Sequence, residues 1–167
     1  MNTIPSGGRV LKRLESLGLV LPAPMRLPAG VELPFPWVSV RGDRVFVSGH
    51  GPLEADGSLA GPFGRVGEQV SVSQARELAA KTALAVIASL ARELGDLDRI
   101  AGWGRVFGMV CSATGFDRQP DVINGFTEVV VQAFGPDVGR HARSAVGMAA
   151  LPMGIAVEVE AELILHR

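Results

Sequence analysis

Apolar residues return along this chain at two periods, and the change from one to the other divides it into elements. The clearest period of two lies near the C-terminal end. Val157, Val159, Ala161 and Leu163 alternate with Glu158, Glu160 and Glu162, which predicts a half-buried strand. The clearest helical period begins at Ser71. Val72, Ala75, Leu78, Ala79, Thr82, Val86, Leu90 and Leu94 step by three and four, which predicts one amphipathic helix over Ser71–Leu94. Ser71 and Gln74 have capping-box spacing, and Gly95 is a suitable C-terminal stop. The alanines in this stripe let the helix lie close to a sheet.

The remaining elements follow the same reasoning. Val10, Leu11, Leu14 and Leu17 predict a short helix over Ser6–Leu17, stopped by Gly18. Pro22, Pro24, Pro28, Pro34 and Pro36 then remove backbone donors, so this stretch is an extended arm laid over the domain. Trp37–Arg41 and Val45–Ser48 are short strands joined at Gly42-Asp43, a hairpin signal. Residues 53–70 lack a period and are expected as a loop. Ile100–Ala113 reads as a long strand interrupted by Gly102, Gly104 and Gly108. Val122–Phe134 reads as a second helix, stopped by Gly135-Pro136. A strand carrying Arg143 follows, then a brief connection around Leu151–Gly154, then the alternating strand. The order β-β-α-β-α-β-β predicts an α+β fold, a mixed sheet with both helices on one face. The division is residues 1–36 as helix and proline-rich arm, and 37–167 as the domain proper.

Composition sharpens this picture. The chain has 167 residues, is 47% hydrophobic and only 20% charged, with a net charge of −1. Its mean hydropathy is +0.29. So much apolar surface in one domain of this size predicts a subunit interface, hence a homo-oligomer. No run of Lys or Arg exceeds two residues and there is no Tyr, so a nucleic-acid partner is disfavoured. The single cysteine, Cys111, excludes an intrachain disulfide and fits a reducing compartment. The start of the sequence has no basic segment leading into an apolar core. The longest apolar stretch, Ala83–Ala91, is too short for a bilayer, so the expectation is a cytoplasmic protein without membrane attachment.

Candidate chemistry is sparse. Arg143 is an isolated cation on the strand before the glutamate row. Taken alone, it reads as a surface charge paired with Glu158 or Glu160 across the ladder. His50 and His141 have no companion ligands in sequence, so no metal is expected. Ser48 is preceded by Phe46-Val47 and lies in no Gly-x-Ser-x-Gly elbow, which excludes that form of nucleophilic catalysis. Gly102-x-Gly104 lies inside a strand and is no dinucleotide fingerprint. Cys111 reads as a small buried residue.

Four pieces in register change the weight of Arg143. Val45-Phe46-Val47-Ser48-Gly49, Ala142-Arg143-Ser144-Ala145-Val146, Ala150-Leu151-Pro152 and Val157-Glu158-Val159-Glu160-Ala161 together resemble the Rid (YjgF, also called L-PSP) family from about residue 37 to the end. Asn124-Gly125 and Gly139-Arg140-His141, with the longer N-terminus, are similar to a distinct branch of it. The resemblance implies a homotrimer of chorismate-mutase-like fold with a cleft between subunits. It implies cofactor-free hydrolysis of 2-imino or enamine acids to 2-oxo acids and ammonia. Arg143 then holds the substrate carboxylate, and Glu158 positions a water. Ser48, Gly49 and His50 line the cleft, and Asn124 faces it from a helix. The chain departs from the family pattern in having Ala145 and Gly147 where a cysteine and often a glutamate follow the arginine. Phe35 or Trp37 takes the place of a tyrosine, and His50 that of a glutamine. A non-catalytic trimer that binds small carboxylate metabolites is the second reading, and a ribonuclease the third.

Overall fold

A computed structural model describes residues 7–167; Ser6, the expected start of the first helix, lies outside the described residues. Helix α1 (Arg9–Ser16) buries Val10 and Leu14. It packs on the end of a later helix, and its free N–H groups are capped from far along the chain. Asp98 accepts from the backbone N–H of Arg9 at 2.7 Å and of Val10 at 3.1 Å. The helix ends at Ser16, so Leu17 leaves the expected stripe and is exposed.

The arm after α1 is extended and pinned by backbone bonds. Ala23 N–H donates to Ala55 O and Arg26 N–H to Gly57 O, both at 2.9 Å. Strands β1 (Val38–Arg41) and β2 (Arg44–His50) form the hairpin around Gly42, whose φ of +63° suits glycine. β2 runs two residues past its expected end. Its register shifts between Val47 and His50, so Ser48-Gly49 forms a bulge opposite the last strand. The expected loop at 53–70 is tied down by bridges, including one from Val66 to Ser112.

Helix α2 (Val72–Leu94) has both halves of its capping box, Ser71 with Gln74, and Gly95 at its end with φ +74°. Strand β3 (Ile100–Cys111) stops two residues short of the expected Ala113. There the chain pairs with the loop instead, with Ala113 N–H donating to Val66 O at 3.0 Å. Helix α3 (Gln119–Gly139) starts three residues earlier than its apolar pattern suggests. Pro120 sits in its first turn, where a missing N–H costs nothing. Gly135, with φ +82°, breaks α3, and Pro136 starts a further turn that reaches Gly139.

Strands β4 (Ala142–Met148) and β5 (Val157–Leu165) complete a sheet of order β1-β2-β5-β3-β4. β4 runs parallel to β3, the pairing that a helical crossover such as α3 permits, and every other pair is antiparallel. The two C-terminal strands are therefore not neighbours. β5 enters between β2 and β3, and β3 separates it from β4.

One sheet face carries the core. Val45, Val47, Val106, Val110, Val157, Val159, Ala161 and Leu163 point to α2 and α3. Gly108 admits the closest approach of α3, since a Cβ there would stand 2.7 Å from Ile123. The other face carries Phe46, Phe107, Met109 and Ile164 among Arg44, Arg105 and Glu158, Glu160 and Glu162, and among the described residues no helix covers it. This α+β arrangement of a five-stranded mixed sheet and three helices is the expected fold class with the N-terminal helix added.

Candidate functional site

Arg143 lies in the parallel pair opposite Val106, so it shares the helix-facing side of the sheet. It does not meet Glu158 or Glu160. Those residues belong to β5, beyond β3, and point to the opposite face with Met109 and Phe107. The surface ion pair suggested by residue type is thus replaced by a set of neutral acceptors. The Arg143 guanidinium donates to Thr127 Oγ1 at 2.9 Å, Asn124 Oδ1 at 2.7 Å and Pro120 O at 3.2 Å. Pro120, Asn124 and Thr127 fall four and three residues apart, one face of α3.

His141 extends this network. Its Nδ1 donates to Gly139 O at 2.7 Å, which leaves Nε2 to accept from the Thr127 hydroxyl at 3.1 Å. Burial, then the Arg143 charge, lowers the His141 pKa, while the Gly139 bond opposes this. The imidazole is therefore held neutral in one tautomer, with Thr127 oriented between it and Arg143. Among the described residues no carboxylate pairs with Arg143. The guanidinium is fixed in place but keeps its charge unneutralised.

Glu158 forms a second place with Ser48 and Gly49, on the uncovered face beside the bulge. Its Oε1 lies over Gly49, where a Cβ would stand 2.0 Å away. Burial and then Glu160 raise the Glu158 pKa. Ser48 Oγ donates to Pro36 O at 2.8 Å. Glu160 remains an ordinary face residue, and Glu162 pairs with Arg44 at 2.9 Å.

His50 goes to a third place. It is buried on the helix side, 4.8 Å from Trp37 between ring centres. Its Nδ1 donates to Ser48 O at 2.6 Å and its Nε2 accepts from Ser89 Oγ at 2.8 Å. Burial lowers its pKa to about 4. Of the expected site residues, the fold brings Arg143 to Asn124, and Glu158 to Gly49 and Ser48, but joins neither group to the other within one chain. β4 and β5 are two strand spacings apart, roughly 10 Å, and the two side chains use opposite faces. Thr127 and His141 were not expected as partners of Arg143. The only sequence signal for Thr127 is its helical spacing from Asn124.

The buried histidine has a consequence for acid stability. The folded pKa, about 4, lies below the unfolded value of 6.5, so the unfolded chain binds more protons between them. Stability is fully present above the unfolded value and falls as pH drops through that window. The loss amounts to roughly 3 kcal/mol, and His141 acts in the same direction. Urea unfolding at pH 7 and pH 4.5 measures it. The His50→Gln variant is expected to lose much less over this range; an equal loss refutes the assignment to His50.

Among the described residues no three His, Cys, Asp or Glu side chains gather as a metal-binding group, and no helix is long and apolar enough to cross a membrane. Cys111 is buried beside Leu151 and Ile155.

Residues 32–164 match the family model described as endoribonuclease L-PSP. Protein TCP17 of Trypanosoma cruzi is 35% identical over 164 residues, covering 98% of this chain and 99% of that protein. A crystal structure from Agrobacterium tumefaciens, described as of unknown function, is 34% identical with a TM-score of 0.81, covering 94% of this chain and 92% of its own. A candidate endoribonuclease from Shewanella oneidensis is 25% identical with a TM-score of 0.83, covering 95% of this chain and 100% of its own. The family model begins at residue 32, whereas the three individual matches cover enough of the chain to take in most of the arm before residue 37.

Proposed function

The chain belongs to the endoribonuclease L-PSP family, also called Rid or YjgF, and we propose from this premise that it hydrolyses small 2-imino or enamine acids to 2-oxo acids and ammonia. The observation that carries the reading is the Arg143 guanidinium, fixed by three neutral acceptors and lacking a carboxylate partner among the described residues. Three of its five N–H groups are committed to these acceptors, and the remaining Nη1 and Nε N–H groups keep a charged, preset donor set for a substrate carboxylate. Asn124 sets the edge of the same place.

The carboxylate grip orients the imine carbon. Water adds to that carbon, the imine nitrogen takes a proton, and the resulting aminoalcohol expels ammonia and leaves the 2-oxo acid. Glu158 is the group suited to orient the water, because its raised pKa brings proton exchange closer to neutral pH. In one chain it lies on the wrong face for Arg143. We therefore place the reaction between subunits of a homotrimer, with Arg143 and Asn124 from one and Ser48, Gly49 and Glu158 from the next. The uncovered apolar residues Phe46, Phe107, Met109 and Ile164 support such an assembly. Proximity and charge suffice for so reactive a substrate, and no cofactor is required.

The test is ammonia release from 2-iminopropionate generated by an amino-acid oxidase. Acceleration over buffer is expected, and its absence sinks the deaminase reading. A non-catalytic carboxylate binder is the alternative. It is favoured by the neutral acceptors of Arg143, with no carboxylate within ion-pair distance among the described residues. Carboxylates then raise the melting temperature without turnover. The ribonuclease reading rests on the family description and ranks third, since the exposed sheet face interleaves its arginines with Glu158, Glu160 and Glu162.

Gly49→Ala separates Glu158 from the rest. The new methyl meets the flexible end of Glu158, not backbone, so the carboxylate must swing away. A fall in kcat of about tenfold or more is expected, with stability changed by less than about 1.5 kcal/mol. Unchanged kcat removes Glu158 from the mechanism.

A further inference from the structure

A cavity lies between the N-terminal arm and the last turns of α2, beside β2 and three strand positions from the β4 strand that carries Arg143. Its volume is about 180 Å³, and Met25, Trp37 and Leu53 form apolar walls. His50 closes one side, but both of its nitrogens are committed, to Ser48 O and to the Ser89 hydroxyl. It therefore offers a neutral ring rather than a proton. Glu93 stands at the exposed rim.

The remaining lining residue of consequence is Arg92. One guanidinium nitrogen donates to Pro22 O of the arm. No carboxylate lies within ion-pair distance of it among the described residues, although Glu93 is adjacent in sequence. Burial lowers its pKa, and its charge is felt at His50. A cation withdrawn from water without a counter-ion is unfavourable, and a bound anion relieves it. The opposite walls are suited to a flat apolar group, with the Trp37 ring packed against His50 at an interplanar angle of 55°.

We propose that this cavity binds a small aromatic monocarboxylic acid, its carboxylate on Arg92 and its ring against Trp37, Met25 and Leu53. The site opens on the helix side of the β2 end and uses Arg92 in place of Arg143, so it is not the imine-hydrolysing cleft, although His50 bonds to Ser48 O. The arm supplies part of its wall, so occupancy also holds residues 22–25 against α2.

Phenylacetate is the probe, followed by calorimetry and by Trp37 fluorescence, with Trp37→Phe identifying the tryptophan signal. Saturable binding is expected below about 10 mM, with benzyl alcohol and acetate each weaker by about tenfold or more. Arg92→Gln is expected to weaken phenylacetate at least about tenfold. That variant also frees Pro22 O, so Met25→Phe, which fills the cavity and keeps the Arg92–Pro22 bond, provides the second arm. It is expected to weaken binding similarly with an unchanged melting temperature. Arg143→Ala is expected to leave affinity within about twofold. The proposal is overturned by absence of saturable binding, by equal binding of benzyl alcohol, by full affinity in Arg92→Gln or Met25→Phe, or by loss of binding in Arg143→Ala.

Discussion

Arg143→Ala is expected to lower kcat/KM for 2-iminopropionate hydrolysis by about 100- to 1,000-fold, and Arg143→Lys by about 10- to 100-fold. The alanine variant loses charge and fork together. Lysine keeps a charge but presents a single ammonium, whose three N–H groups cannot serve a carboxylate while also reaching Thr127, Asn124 and Pro120. Folding is expected to change by less than about 1.5 kcal/mol, because Arg143 stands on a half-exposed edge strand and its acceptors can turn to water. Steady-state kinetics of ammonia release and urea unfolding on the same preparations separate the two effects. Rates equal to wild type in both variants refute the carboxylate anchor. A large loss of stability instead assigns Arg143 to holding β4 on α3.

Gly125→Ala is expected to cost about 3 to 5 kcal/mol and to lower the melting temperature by roughly 8–15 °C. A Cβ at Gly125 stands 2.1 Å from Arg76 O, a backbone atom of the neighbouring helix. No rotamer relieves that contact, so α2 and α3 must move apart along their shared length. The contrast with Gly49→Ala is instructive, since there the obstacle is the end of a flexible side chain. Gly125 also follows Asn124. Displacing α3 moves Asn124, and Thr127 one turn on, away from Arg143, so activity is expected to fall with stability. Thermal unfolding measures the first effect. A melting temperature within about 2 °C of wild type shows that the helices accommodate the methyl and refutes the tight crossing.

Much of the fold was legible because short-range periods encode it. The Ser71–Leu94 stripe, its Ser71/Gln74 box and its Gly95 stop are all contained within one segment, and the helix forms there. The alternation at 157–165 likewise fixes which β5 side chains are buried. Boundaries failed where a distant segment competes. β3 ends at Cys111 because Val66 takes over the pairing of Ala113. α3 begins before its apolar stripe because its first turn is polar and brings the Pro120 carbonyl to Arg143. Gly135-Pro136 breaks the helix as their chemistry requires, yet the chain turns again until Gly139.

The candidate site divides in the same way. The motif around Arg143 was readable, but Thr127 and His141 gave no comparable signal, since a threonine on a helix and a histidine before a strand have many uses. His50 was expected to line a cleft; within one chain it is buried against Ser89 and Trp37 and closes one side of the cavity under the arm, where the Ser48-Gly49 bulge re-aims the strand end.

The sequence alone determined the element types, the apolar face of each long element and the family resemblance, and it singled out Arg143 as a candidate. Each depends on residues close together in the chain or on a motif carried intact. Only the tertiary structure decided which residues Arg143 faces. Strand order is set by long-range pairing, and the entry of β5 between β2 and β3 leaves β4 at the edge. That placement leaves Arg143 facing α3 and the glutamate row on the opposite face, so two pieces of the linear motif end on different sides of the sheet.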